Sequence, residues 1–549
     1  MNNLSFDLLQ TTQHGKARLQ ALTVAEQIAY MPTTLVEFNS AGRLLIVGTA
    51  AQTLPIAQRL STSLSCLVLI TSGEIVIPDT HAFIVLAGKI QSCTGFLGQF
   101  ELSVKQANTL FNPATYYKQP AQYIDLILDF SENSLFSREI PPLGYFAPKN
   151  DSEALEKAIL DLQEAVGTFD KPKFFNYLQN ICAHGNSGKV GCTNCINACP
   201  TEAIISIGDK IAVNPNLCQG AGSCATVCPT GAIHYLYPKP SDTLTKLRKL
   251  LKTYHEAGGT HACILFYDEI LQARLDELLL QLPESVLPFS VEEVGSVGIE
   301  IWLACFAYGA DKIVLFTKST TAPMVKTAVE TQLSYAIALI TALGYADDAL
   351  LFTADEAYLL EKNAQISKFS PQAFKFASFA GLDEKRTTLK LAIEHLYQHA
   401  PQQPELIALP EGAPFGEIHV NSEACTLCMS CVVVCPSNAL SDGQNLPQLH
   451  FNESLCVQCH LCERTCPESA IQLQARYLFQ QREQTRLLYE EPPFCCISCG
   501  KPFATQSVIR RIIDKLKGHK MFQDEVALKR LEMCEDCRVR DLFTVERSK

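Results

Sequence analysis

Four segments of the chain share one ending: CPTEAI at 199–204, CPTGAI at 228–233, CPSNAL at 435–440 and CPESAI at 466–471. Each is preceded by further cysteines at short steps, and in both halves of the chain the second copy begins soon after the first ends. Such spacing has a specific use. Three cysteines at steps of three residues wrap a tight loop around one iron–sulfur cubane, and the fourth, just before proline, is thrown across to the other cluster of a pair. One motif alone therefore cannot close a cluster. Proline after the last cysteine sets φ and ends the loop, and the small and aliphatic residues that follow start a short helix against the core. A shell made only of thiolates suits iron–sulfur chemistry.

The later pair of motifs is complete. Cys425, Cys428 and Cys431 with Cys466 are expected to hold one [4Fe–4S] cluster, and Cys456, Cys459 and Cys462 with Cys435 another. The bland alternative, eight buried thiols or a zinc site, fits poorly, because zinc sites use two pairs of ligands and not quartets ending in Cys-Pro.

The earlier pair departs from the pattern twice. Its first motif, CAHGNSGKVGCTNCINACP, stretches the first step to nine intervening residues and gives Cys182, Cys192, Cys195 and Cys199. By the same cross-over, Cys182, Cys192 and Cys195 with Cys228 are expected to hold a third [4Fe–4S] cluster. His184 in the stretched loop reads as an ordinary surface histidine, since four thiolates are already to hand. The second motif, CQGAGSCATVCP, carries Ala221 where the middle cysteine would stand, leaving Cys199, Cys218 and Cys224. Three thiolates leave two outcomes open, a [3Fe–4S] cluster or a [4Fe–4S] cluster with a non-cysteine or exogenous fourth ligand. The first is favoured, because the C-x5-C-x3-C-P spacing resembles that of seven-iron ferredoxins, although those often place an acidic residue at the position of Ala221.

Two Cys-x-x-Cys pairs lie near the C-terminus, Cys496 and Cys499 in FCCISCGKPF, and Cys534 and Cys537 in EMCEDC. Together they offer a tetrahedral shell, with structural zinc the first choice and iron the rival; the 34 residues between the pairs exceed the usual ribbon spacing. Cys495 is expected to point away. Cys66, Cys93, Cys263 and Cys305 stand alone in apolar or mixed surroundings and read as small hydrophobes. No Gly-x-Ser-x-Gly, P-loop or His-Glu-x-x-His is present, so no independent catalytic site is visible and a non-catalytic carrier or accessory subunit is the favoured reading.

Of the 24 cysteines in 549 residues, 20 are concentrated in 182–228, 425–466 and 495–537, which points to metals and away from a disulfide framework. Hydrophobic residues at 47% and charged residues at 19% exclude a disordered chain. A net charge of −12 disfavours nucleic acid or an anionic membrane as partner. The N-terminus lacks the basic and apolar regions of a secretory signal, so a cytoplasmic location is expected. Apolar runs fall short of the about 20 residues that a membrane span needs.

The remaining sequence must position these loops. Residues 43–70 read as strand, turn at Gly48, helix and strand, half of a Rossmann-like unit. Gly48 alone stands where a dinucleotide site needs G-x-G-x-x-G, so the domain at 1–150 is expected to be degenerate, with further strands at 82–88 and 123–130. A helix is expected over 151–167. In 241–400 the pattern returns to α/β: a helix in DTLTKLRKLLKTYHEAG, a strand in HACILFY, a helix in ARLDELLLQL, a strand in DKIVLFT, then a long helical region over about 322–400. A proline-rich linker follows, and the tail from 478 reads as charged and helical.

The paired C-x2-C-x2-C-x3-C-P motifs resemble the bacterial-type two-cluster ferredoxins, which implies a ferredoxin-like fold for 172–238 and 414–476. The fold class is then α/β and α+β multidomain, with two such modules set among Rossmann-like α/β domains and a four-cysteine region in 478–549. More broadly, the segments KPKFFNYLQNICAHG, CQGAGSCATVCPTGAI, VEEVGSVGIEIWLACFAYGADKIVLF and CGKPF…EMCEDCRV resemble the large 4Fe–4S ferredoxin-type proteins associated with bacterial formate dehydrogenases. The third of these also faintly resembles the small iron–sulfur subunit of methanogen hydrogenase–heterodisulfide reductase systems, whose cysteines are missing apart from the unmatched Cys305. The resemblance implies single-electron delivery to or from a formate dehydrogenase-type enzyme, or a role in its assembly. A flavin- or nicotinamide-dependent reductase is a third reading, which would need a cofactor on 40–150.

Overall fold

A computed structural model describes residues 12–74, 82–149, 151–364, 375–444 and 446–547. The apolar run LLIV in strand Arg43–Gly48 is buried on both faces, as a central parallel strand requires. It lies between Ser65–Ile70 and Leu126–Asp129 in an all-parallel sheet whose outer strands are Ile84–Ala87 and Tyr145–Phe146. Helices Ala50–Leu60 and Ser152–Glu164 bury Ala57, Leu60, Ile159 and Leu162 on one face. The other face is covered by an antiparallel sheet, Lys89–Thr94, Glu101–Gln106 and Thr109–Phe111, through Phe100, Leu102 and Val104. A Rossmann unit carries helices on both faces. Here one helical layer is replaced by strands, because IQSCT and ELSVKQ alternate polar and apolar residues and can bury one side only.

The central sheet is also all parallel, in the order Val286–Val291, Cys263–Asp268, Lys312–Phe316, Leu350–Thr353. Its strands alternate between two cores. Ile264, Phe266, Ile313 and Leu315 face helices Pro240–Glu256, Ile299–Ala307, Pro323–Ala342 and Lys385–His399, while Leu265, Tyr267, Val314 and Phe316 face Gln272–Leu278 and Glu356–Ala364. Helix Gln13–Glu26 also joins this core through Ala17, Ala21 and Ala25, so this helix packs on the central unit and not on the first sheet.

Two expectations are corrected. The stretch 322–400 is not all helical: Leu350–Thr353 is the edge strand of the central sheet, a run of four too short to show a period and fixed by pairing with Ile313–Phe316. The tail from 478 is not helical from its start. Arg486–Glu490 joins the hairpin Leu440–Gly443 and Leu446–Phe451, and Pro493–Cys495 pairs with Pro502–Thr505 before the helices begin at Gln506. The first of these strands is held by charge. Arg486 and Arg476 share the buried carboxylates of Glu417 and Glu453, at 2.8 and 3.4 Å for Arg486 and 2.5 and 2.7 Å for Arg476. Each buried carboxylate thus has a cation on two sides, which offsets its desolvation.

The two cysteine-rich modules repeat one plan. In the first, strand Phe175–Tyr177 pairs with Ile233–Tyr235, and hairpin Ile204–Ile207 with Lys210–Val213 lies between short helices Asn194–Asn197 and Ser223–Val227. In the second, Gly416–Val420 pairs with Ile471–Leu478, around helices Ser430–Val433 and Leu461–Thr465.

Within the first unit the sheet hangs on Asp125. Its carboxylate is fully buried and accepts from the N–H groups of Ala41 and Arg43 and, at 3.0 and 2.6 Å, from the Arg43 guanidinium. Asp125→Ala strands two N–H donors and a cation. It is expected to cost about 3 kcal/mol, read as a lower urea midpoint for the transition that follows the first unit, with iron content unchanged.

Candidate metal centres

The loops carry their cysteines inward. Burial pushes the Cys195 thiol up, and Cys228, Cys192 and Cys182 add to the shift, so these four sulfurs feel one another. Burial likewise pushes Cys224 up, with Cys218 and Cys199 adding to it. In the second module Cys431 is pushed up to about 12 by burial and by Cys425, Cys428 and Cys466. Cys456 is also pushed up to about 12 by burial, with Cys459 and Cys435 adding. Most cysteines of 182–228 share one core cluster and most of those of 425–466 another, so each module gathers its own thiols. Clustered buried thiols resist ionisation by themselves, and bound iron reverses that balance by taking up the negative charge of each thiolate. The donor set, thiolate throughout, fits iron–sulfur clusters.

Hydrogen bonds aimed at sulfur accompany them. The Ala203 N–H donates to Cys199 Sγ and the Ala470 N–H to Cys466 Sγ, both at 3.3 Å. Gln458 Nε2 lies 3.4 Å from Cys456 Sγ. Two residues after Cys199, Cys228 and Cys435 stand Thr201, Thr230 and Ser437, with hydroxyls 3.4, 3.6 and 3.8 Å from sulfur. The fourth repeat has Glu468 there, and its carboxylate pairs with Arg511 of the tail. The repeat itself carried this signal, a hydroxyl two positions after cysteine.

The loop at Ala221 is intact although its cysteine is missing. In the complete motifs the residues flanking the middle cysteine are left-handed: Leu427 and Met429 around Cys428, at φ 53° and 61°, and Gln458 and His460 around Cys459, at 53° and 64°. Gly220 and Gly222 have φ of 82° and 74°, so Ala221 stands in the same backbone setting with a methyl in place of a thiol. Its outer side is occupied. A Cβ on Gly222 would lie 2.4 Å from Ser296 Cα, one on Gly295 would lie 2.4 Å from the Ala221 carbonyl oxygen, and Thr226 donates to the Gly295 carbonyl at 2.7 Å.

His184 is corrected: it is buried, not on the surface. Its ring bridges the Cys192 carbonyl at 2.9 Å and the Ser206 hydroxyl at 2.8 Å, so both nitrogens are engaged in fastening the stretched loop to the hairpin. Nothing in the local sequence distinguishes a histidine used that way from an exposed one.

In the tail the sulfurs of Cys496, Cys499, Cys534 and Cys537 lie within 4.8 Å of one another, with Cys499 and Cys534 3.7 Å apart. Four thiolates 2.3 Å from one tetrahedral zinc are separated by about 3.8 Å, so this shell could hold a single ion. Gly500, at φ 73°, closes the first knuckle by donating its N–H to the Cys496 carbonyl. Cys495, beside it, is exposed. The tail docks on the second module through Thr505, which donates to the Thr426 carbonyl at 3.0 Å, and Arg511, which donates to that of Ala424 at 3.0 Å.

At the carboxyl ends of both parallel sheets, where α/β proteins bind ligands, an aspartate is engaged by the chain's own groups, and beside the ends of Cys263–Asp268 and Val286–Val291 lies a cavity of about 600 Å³ lined by Tyr267, Glu269, Ser290 and Glu292. Asp129 accepts from the Ser131 and Leu135 N–H groups and the Tyr145 hydroxyl, and a Cβ on Gly48 would lie 2.9 Å from that of Phe130. Asp268 accepts from the Val294 and Lys318 N–H groups and from Thr317. Cys66, Cys263 and Cys305 are buried among apolar side chains, and Cys93 is half-buried. No helix among the described residues is long and apolar enough to cross a membrane.

Comparison with known proteins agrees with the cysteine geometry. Models of the 4Fe-4S binding domain match residues 418–441 and 449–472, and a second such model matches 210–233. An uncharacterized ferredoxin of Methanocaldococcus jannaschii is 46% identical over 43 residues, which are 8% of this chain and 69% of the relative. The matched segments carry the repeated cysteine motifs, and their role is iron–sulfur electron transfer. The chain belongs to the ferredoxin family of 4Fe–4S proteins.

Proposed function

We propose that the chain is a polyferredoxin that passes single electrons through four clusters, and that its first and central α/β units are scaffolds, the first a degenerate Rossmann-like one. The repeated cysteine motifs, whose thiols gather in the core of each module, carry this reading. Cys182, Cys192, Cys195 and Cys228 hold one [4Fe–4S] cluster, Cys425, Cys428, Cys431 and Cys466 a second, and Cys435, Cys456, Cys459 and Cys462 a third. Cys199, Cys218 and Cys224 hold a [3Fe–4S] cluster, a choice supported by the Ala221 methyl at the open corner and by the central unit packed behind it. The tail cysteines 496, 499, 534 and 537 hold one zinc, supported by their sulfur spacing.

The acidic chain fits a basic redox partner in the cytoplasm. The resemblance in its Cys-rich and central segments supports an enzyme of the formate dehydrogenase type as that partner.

Anaerobically purified protein is expected to contain about fifteen irons per chain, three sets of four and one of three, and to show a [3Fe–4S] EPR signal when oxidised. Ala221→Cys supplies the missing thiolate in an unchanged loop. It should abolish that signal and add about one iron; a persistent signal with the added thiol buried in place would sink the assignment. Cys534→Ser should release one zinc and leave iron unchanged, measured by metal analysis, whereas loss of iron would identify the rival metal. Mixed with an enzyme of the formate dehydrogenase type, the protein should be reduced by formate and reoxidised reversibly. A deletion strain whose enzyme is inactive even with artificial acceptors would instead favour the assembly role.

A further inference from the structure

The two modules are separated by nearly the whole central unit in sequence, yet they touch. Arg464, in the short helix that carries Cys462, donates to the carbonyls of Val190 and Gly191 at 2.8 and 3.0 Å. Asn186 donates in the opposite direction, to the Val433 carbonyl of the second module at 3.2 Å. Gly191 meets Leu461 so closely that a Cβ there would fall 2.5 Å from Leu461 Cγ. Beside this contact Cys192 and Cys228 of the first module and Cys459 of the second line one cavity of about 100 Å³. Inside the modules the short helices that carry Cys195 and Cys224 pack on each other, as do those that carry Cys431 and Cys462.

The geometry points to a single conductor of four stations, in which electrons cross between the modules at Cys192 and Cys459. The stations then run in order from Cys425–Cys428–Cys431–Cys466, through Cys435–Cys456–Cys459–Cys462 and Cys182–Cys192–Cys195–Cys228, to Cys199–Cys218–Cys224. At the crossing one station is oxidised by one electron and its neighbour reduced by one, with no bond made or broken; the electron comes from the one-electron redox partner. The two ends differ. Cys428 is exposed, so the first station opens to a partner, whereas the last lies against the Val294–Ser296 turn of the central unit. This order rests on the cluster ligands proposed above.

The full-length chain carrying Cys425→Ala, Cys428→Ala, Cys218→Ala and Cys224→Ala should keep only the two inner stations, which belong to different modules. Iron and sulfide analysis establishes whether both are present, and loss of either speaks against the ligand sets. With both present and reduced by dithionite, low-temperature EPR should show a broadened, spin-coupled spectrum. Two sharp, independent signals would overturn the crossing. Should the fourfold variant not accumulate, Gly191→Leu in the otherwise unaltered chain gives the second reading. The added side chain wedges Leu461 and Cys459 away from Cys192. With iron content equal to that of the unaltered protein, part of the spin coupling should be lost, and an identical spectrum would overturn the proposal.

Discussion

The arrangement of the two modules about the central unit depends on two neighbouring cations, Lys385 and Arg386, at the start of one of its helices. Lys385 donates to the Ala225 and Thr226 carbonyls at 2.9 and 2.6 Å, the last acceptors of the short helix that carries Cys224. Arg386 donates to the carbonyls of Pro414, Ser454 and Cys456 in the second module, with its guanidinium 4.7 Å over the Phe415 ring. Cations at a helix N-terminus oppose the helix dipole. Here that cost is offset, because each cation serves carbonyls where another segment ends, and hydrogen bonds from a charged donor contribute about 1.5–3 kcal/mol each. Glu300, at 3.4 Å, balances the charge on Lys385, and burial with the nearby Arg482 lowers Arg386 to about 10.

The chemistry was legible in the sequence to an unusual degree, because ligand spacing in a tight loop is a local property. Most cysteines of 182–228 and of 425–466 gather in the core of their own module, and the strand–helix–strand of 43–70 forms as read. So do the helix, strand, helix and strand read in 241–316, with Val286–Val291 and Ile299–Ala307 added between them. What failed to show was everything set by distant partners. Leu350–Thr353 and Val286–Val291 are strands because a neighbour offers them a ladder, and Arg486–Glu490 because Glu417 and Glu453 draw Arg486 into place. His184 gave no sign of burial, since its partners lie across a hairpin. The cations at 385 and 386 look like any charged helix start.

The left-handed positions show the same limit from another side. Gly220 and Gly222 advertise a positive φ, but Leu427, Met429, Gln458 and His460 adopt it without any glycine. Their strain is held by the fold around them, and in a ferredoxin loop it serves to turn backbone N–H groups toward the sulfurs. The two glycines in the motif that lacks a cysteine therefore meet a demand that the other loops meet at a cost.

Gly222 has a second consequence. Its Cα faces Ser296 with no room for a single further carbon, so the seam between the first module and the central unit is a fit without clearance. A joint of that kind tolerates neither wear nor slack: whatever atom sequence drift places at 222 must be taken up as a displacement of the entire module, and the corner at Ala221 travels with it.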